Sequence, residues 1–181
     1  MVDAAGAWAD AVAALAGLAP LGIRPKRRTA ILVAPPAGVD VRAWPAVADV
    51  AEEWYVKPDA GKLMASPADE TPSEPCDVQA EELDVAICVD WIERALDLGV
   101  RRVEHRWAGL RCFAPDKTPV VGPDPRAPGF VWLAGQGGYG IMTAPVLAAI
   151  TAHLVAGAPL PAWVGEGMDL AALHPDRLLG G

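Results

Sequence analysis

Apolar residues recur at helical spacing near the start of the chain: Trp8, Val12, Leu15 and Leu18 fall within "AWADAVAALAGL", and "APLG" ends the run. The pattern predicts one short helix over residues 7–18. From Gly22 to Val33 it turns β-branched and is closed by "PPAG", which reads as a strand and a turn. In "EEWYVKPDAGKLMASP" two short apolar runs flank Pro-Asp-Ala-Gly, a hairpin signal, and a Ser-Pro-rich loop, "SPADETPSEP", follows. "DVQAEELDVAICVDWIERALDLG" places Val85, Cys88, Val89, Ile92, Leu96 and Leu98 near one helical stripe, with Gly99 as the stop. "VRRVEHRWAGLRCFA" reads as a strand, "PDKTPVVGPDPRAPG" as turns around a short Val-Val strand, and "FVWLA" as a short buried strand. "IMTAPVLAAITAHLVAG" is an apolar helix, and the remainder is an extended tail with one helical turn. No internal repeat is visible.

At 181 residues the chain is long enough for one good core or two small ones, and 52% hydrophobic with 21% charged residues is ordinary for a folded protein. A formal charge of −8 argues against nucleic-acid binding, which rests on clustered Lys and Arg. The one basic cluster, Arg24-Pro-Lys-Arg-Arg28, leads into a strand and reads as a solvated strand edge. Cys76, Cys88 and Cys112 make no C-x-x-C pair and are odd in number, so neither a disulfide framework nor a zinc site is expected, and a cytoplasmic location fits. No apolar run is long enough for a membrane span, and the Ala-rich start lacks the basic region of a signal peptide.

"VWLAGQGGYG" holds a literal G-x-G-x-x-G at Gly135, Gly137 and Gly140, between a strand and a helix. A dinucleotide fingerprint also needs an acidic residue at the end of a following strand, and only a helix and a Pro-rich tail follow here. What remains is a glycine loop that lets backbone approach a ligand at a helix N-terminus, a site suited to an anionic or electron-rich edge.

"AAGAWA", "RWAGLRCFAPDKTPVVG" and "LAGQGGYGIMTAP", in this order, resemble the FAD-dependent oxidoreductases of the D-amino-acid oxidase and glycine oxidase group. The resemblance runs from Asp3 to about Val155 and covers the C-terminal half of such an enzyme; the family's N-terminal G-x-G-x-x-G unit has no counterpart in these residues. It implies an α+β fold: a mostly antiparallel substrate-binding sheet domain over residues 22–113, with residues 1–21 and 114–181 forming part of an FAD-binding domain. It implies FAD as cofactor, bound weakly or not at all by this chain alone, and a small amino-acid or amine substrate oxidised to an imine. A separate FAD-domain chain, a homo-oligomer and a plain carboxylate-binding module remain as other forms of the same resemblance.

The resemblance places Ala5 and Gly6 beside the cofactor's diphosphate and ribityl region, with Trp8 packing behind. It places Gly137, Gly138, Tyr139, Gly140 and Ile141 against the pyrimidine edge of the flavin, where negative charge develops on reduction. Arg111, in "WAGLR", matches the arginine that holds a substrate carboxylate, a context that favours this reading over a strand arginine paired to an acidic neighbour. Tyr55 reads as a hydroxyl donor to that carboxylate or as a plain sheet residue. Relatives that oxidise N-methyl amino acids carry lysine where this chain has Met142. His105, His153 and His174 receive no role, since this oxidation needs no base, and Trp107, Trp132 and Trp163 read as core.

Overall fold

A computed structural model of the chain describes residues 1–164 and 167–179. In chain order its elements are β1 (Val2–Asp3), a 3-10 turn (Gly6–Trp8), α1 (Ala9–Leu15), β2 (Arg24–Val33), β3 (Val47–Ala48), β4 (Tyr55–Asp59), β5 (Lys62–Ser66) and β6 (Thr71–Pro72). Then come α2 (Glu82–Leu96), β7 (Val103–Phe113), β8 (Val120–Pro123), β9 (Val131–Ala134), α3 (Gly140–Ala156) and two 3-10 turns, Leu170–Leu173 and Pro175–Leu178. Gly165, Glu166, Gly180 and Gly181 of the expected tail lie outside the described residues. The fold is α+β, and the chain divides into two compact units: Met1–Lys26 with Ser73–Cys76 and Arg111–Gly181, and Arg27–Pro72 with Asp77–Leu110.

The first unit carries a three-stranded sheet in the order β1-β9-β8, parallel between β1 and β9 and antiparallel between β8 and β9. Trp132 is wholly buried on β9, and its indole N–H donates to Asp124 Oδ2 at 2.9 Å. Arg126 closes the same carboxylate with Nε at 3.0 Å and Nη2 at 2.7 Å. The Arg126 hydrogen bonds, with help from Trp132, hold the Asp124 carboxyl well below its ordinary range, at about 2. The turn between α1 and β2 is fixed by Asp10, whose carboxylate accepts from the backbone N–H groups of Leu21, Gly22 and Ile23 at 2.8 to 3.0 Å. Val121, Leu147 and Ile150 anchor α3 in the core.

The second unit is built on the sheet order β3-β4-β5-β2-β6, with β7 also paired to β2. The expected hairpin forms as β4 and β5, and its register pairs Tyr55 with Ser66 and Val56 with Ala65. Alternation then puts Val56, Leu63 and Ala65 on the core face beside Ile31 and Val33, where Val85, Cys88 and Ile92 of α2 meet them. Burying each of these aliphatic side chains is worth roughly 1.5–3 kcal/mol.

Several expectations are corrected. α2 stops at Leu96 with Asp97 as its left-handed cap (φ 49°), two residues before Gly99. The basic cluster is not simply a solvated edge: Arg27 is 7% exposed and pairs with Glu81 and with Asp84, the latter at 2.6 Å. Three tryptophans expected to be packed are open to solvent: Trp8 is 49% exposed, Trp107 37% and Trp163 61%.

Candidate functional site

Val2 lies opposite Val131 and Asp3 opposite Trp132 in parallel register, so the chain leaves β1 and β9 at the same end of their sheet. The space beyond the carboxyl ends of adjacent parallel strands is where such a sheet receives ligands. Ala5 and Gly6 follow β1 there, both half-exposed, with Gly6 at φ 58°. Asp3 Oδ1 accepts from the Ala5 N–H at 3.1 Å, which bends the chain out of the strand. Its other oxygen, Oδ2, is buried with no partner among the described residues, and desolvation raises the Asp3 carboxyl above its ordinary value.

The segment after β9 is fitted against the end of β7. Gly137 donates its N–H to the Cys112 carbonyl at 2.8 Å, and Phe113 bridges to Gln136. A Cβ at Gly135 would stand 3.3 Å from the Ala114 nitrogen, one at Gly137 would stand 2.7 Å from the Phe113 ring, and one at Gly138 would stand 3.1 Å from Arg111 Nη1. The Arg111 guanidinium thus lies over the Gly138 backbone. Among the described residues no ion pair or side-chain hydrogen bond engages Arg111, so the acidic neighbour that a strand arginine ordinarily finds is missing.

Gly140 opens α3 with no side-chain cap and no acidic residue in the first turn. The first backbone bond across that turn runs from the Thr143 N–H to the Tyr139 carbonyl at 2.9 Å, and the N–H groups of Gly140, Ile141 and Met142 have no backbone acceptor among the described residues. Tyr139, Ile141 and Met142 project outward, exposed. Unpaired N–H groups, the positive end of a helix dipole and a guanidinium make this a place for an electron-rich ring edge and a carboxylate. A flavin edge fits: glycine backbone lets it approach, and no acidic side chain in the first turn opposes its charge.

Tyr55 lies in the second unit, half-buried on β4, on the sheet face opposite the α2 contact and paired across to Ser66. His105 stacks on Trp107 at 5.5 Å, His153 Nδ1 meets the Ala158 carbonyl at 2.6 Å, and His174 Nδ1 meets Asp176 at 3.0 Å. The Cys88 thiol is pushed up to about 12 by burial, so it offers no nucleophile at neutral pH. The described residues hold no cluster of metal-ligating side chains, and no helix among them is long and apolar enough to cross a membrane. Sequence reasoning passed over Phe113, which lies two residues past Arg111; strand alternation puts both on one side of β7, and that was the available signal.

Residues 1–154 match the model of the DAO family, FAD dependent oxidoreductase. The chain belongs to this family of FAD-dependent flavoproteins. Among curated proteins it is 26% identical over 171 residues to the bovine (Bos taurus) FAD-dependent oxidoreductase domain-containing protein 1, covering 86% of this chain and 35% of that one. It is 28% identical over 166 residues to the uncharacterized oxidoreductase YurR of Bacillus subtilis, covering 87% of this chain and 42% of that one. Among solved structures, glycine oxidase from Geobacillus kaustophilus superposes with a TM-score of 0.76 at 25% identity, over 97% of this chain and 45% of that chain. L-proline dehydrogenase from P. horikoshii shares the fold with a TM-score of 0.75 at 22% identity, over 98% of this chain and 46% of that one. The chain thus spans less than half the length of these relatives.

Proposed function

We propose that the chain supplies the substrate-carboxylate grip and the flavin-facing loop of an FAD-dependent enzyme that oxidises the C–N bond of an amino acid or amine to an imine. The observation that carries this reading is Arg111: without an ion pair among the described residues, half-buried and held over the Gly138 backbone at the open N-terminus of α3. In this reading Arg111 holds the substrate carboxylate through two parallel N–H donors, which fixes the direction of the neighbouring Cα–H. Gly138, Gly140 and Ile141 would present backbone donors to the cofactor's ring edge, while Gly137 and Tyr139, whose N–H groups already bond the Cys112 and Gln136 carbonyls, would shape the loop beside it, and Ala5 and Gly6 would pass beside its diphosphate and ribityl region. FAD, when bound, supplies the two-electron acceptor. No catalytic acid or base is assigned to this chain, because the hydride leaves a carbon beside a neutral amine. The second unit carries the substrate-domain sheet, with Tyr55 as the candidate hydroxyl donor to the carboxylate, and three free cysteines favour a cytoplasmic setting.

A second reading is that the chain completes its cofactor site with a separate FAD-domain chain. Apolar side chains of the first unit favour it: Leu15 on α1 is 89% exposed and Ile141 on α3 is 93% exposed. The absorbance spectrum of the purified chain with excess FAD and a mixture of D- and L-amino acids separates the two. Retained flavin that bleaches with an amino acid supports the first reading. A colourless chain that never retains FAD refutes it for the chain alone and favours the second.

A further inference from the structure

The second unit contains a cavity of about 570 Å³ between the Ala34–Ala37 turn that follows β2 and the Leu98–Arg102 segment that links α2 to β7. That volume is in the range of small-molecule sites. None of the residues discussed above as cofactor or carboxylate contacts lines it. One wall is apolar, made of Ala34, Pro35, Pro36 and Leu98. The lining also carries Arg101, Arg102 and Glu104.

The charges are arranged unevenly. Glu104 is taken up by Lys62, and Arg102 stands 4.0 Å from it, with the Arg102 side chain 80% exposed. Arg101 has no ion pair or side-chain hydrogen bond among the described residues. In a chain of formal charge −8, the cavity lining thus holds two arginines against one carboxylate that Lys62 already engages, and Arg101 is left without a counter-charge among the described residues. The rim is also fixed in place: Glu93 of α2 reaches forward and accepts the Val100 N–H at 2.9 Å, and Gly99 supplies the turn at φ 65°. A preformed rim reduces the ordering cost of binding.

We propose that this cavity is an accessory binding site for an organic monoanion, a carboxylate on a compact apolar body, separate from the carboxylate grip at Arg111. The guanidiniums take the carboxylate with fork geometry, and the Pro and Ala wall takes the body. Glu104 in the same lining disfavours a dianion, which sets a carboxylate above a phosphate.

The test is a titration of the uniformly ¹⁵N-labelled chain with cyclohexanecarboxylate and, separately, with inorganic phosphate, read as amide shifts in a two-dimensional NMR spectrum. Saturable shifts are expected at Ala34, Ala37, Gly99 and Val100, with the carboxylate bound about tenfold more tightly than phosphate. The double substitution Arg101→Ala/Arg102→Ala is expected to weaken the carboxylate by about tenfold or more, whereas Arg111→Ala leaves these shifts unchanged. Equal binding of phosphate, shifts that persist in the double variant, or shifts at this rim that vanish in Arg111→Ala would each overturn the proposal. So would the absence of any saturable shift at the rim in a variant-free sample whose other amides confirm a folded chain.

Discussion

Two neighbouring glycines in the loop after β9 are expected to fail in different ways when given a methyl group. At Gly137 the backbone is left-handed (φ 57°), and the added Cβ would stand 2.7 Å from Cε1 of the buried Phe113 ring. The left-handed conformation costs a residue with a Cβ about 1–2 kcal/mol, and forcing an atom into a packed ring adds about 1–3 kcal/mol. Gly137→Ala is therefore expected to lose about 2–5 kcal/mol, which in a chain of this size lowers the thermal midpoint by roughly 10 °C. At Gly138 the backbone needs no glycine, and among the described residues the one close neighbour is the far end of Arg111, Nη1 at 3.1 Å. That guanidinium can move, so Gly138→Ala is expected to fold with a change of less than about 0.5 kcal/mol. What it loses is the position of Arg111: a charge-assisted hydrogen bond to a carboxylate is worth about 1.5–3 kcal/mol, so affinity for a substrate-like carboxylate falls about tenfold to one-hundredfold. The assay is differential scanning fluorimetry of both variants beside calorimetric titration with a simple amino acid, with Arg111→Lys as the reference for a lost fork. Wild-type carboxylate affinity in Gly138→Ala, or a wild-type midpoint in Gly137→Ala, refutes the reasoning.

Three further outcomes follow from single groups. Gly140→Ala is expected to be tolerated in both assays, because its Cβ meets only Gln136 Cβ at 3.4 Å and alanine is the better helix former by about 1 kcal/mol; a fall in carboxylate affinity matching Gly138→Ala would contradict this. Asp3 has its carboxyl raised by desolvation, so its ionisation opposes folding, a cost that accrues as pH rises from the ordinary carboxyl value to the raised one and stays in full above it; Asp3→Asn is expected to be more stable than wild type at neutral pH by about 1 kcal/mol, with the gap closing toward acid pH in denaturant titrations. Asp124 shows the opposite sign, held from 3.8 down to about 2 by Arg126, so it contributes roughly 2 kcal/mol above its ordinary value that is lost as pH falls through about 2; Asp124→Asn should remove that acid limb and lower stability at neutral pH, read from urea midpoints across the pH range.

The regular elements were legible because each carries its own local signal. The period-two alternation of Val56, Leu63 and Ala65 across a Pro-Asp-Ala-Gly turn needs no tertiary information to be read as a hairpin, and the α2 stripe is likewise complete in sequence. Failures came where long-range partners decide. Arg27 looks like a surface cation until Glu81 and Asp84, more than fifty residues on, fold against it. Asp97 ends α2 before Gly99 because an acidic residue tolerates the left-handed cap well enough to stop the helix early. Trp8, Trp107 and Trp163 look like core by composition, yet nothing in their local sequence reports how much surface is available to cover them.

The glycine loop shows the same division between motif and cause. Its spelling matches a dinucleotide fingerprint, in which the glycines serve a tight turn, a pyrophosphate and helix packing. In this fold the constraint on each position comes from the end of β7. Gly135 is held by the Ala114 backbone, Gly137 by the Phe113 ring and Gly138 by Arg111, while Gly140, the fingerprint's last glycine, is held by almost nothing. Gly138, the one glycine that the fingerprint does not specify, is the one that touches the candidate carboxylate grip. The spacing is therefore set by how closely the loop lies against Arg111 and its neighbours. That closeness brings a guanidinium with no ion pair among the described residues and the open N-terminus of α3 to one place, which the sequence pattern alone could not distinguish from a phosphate cradle.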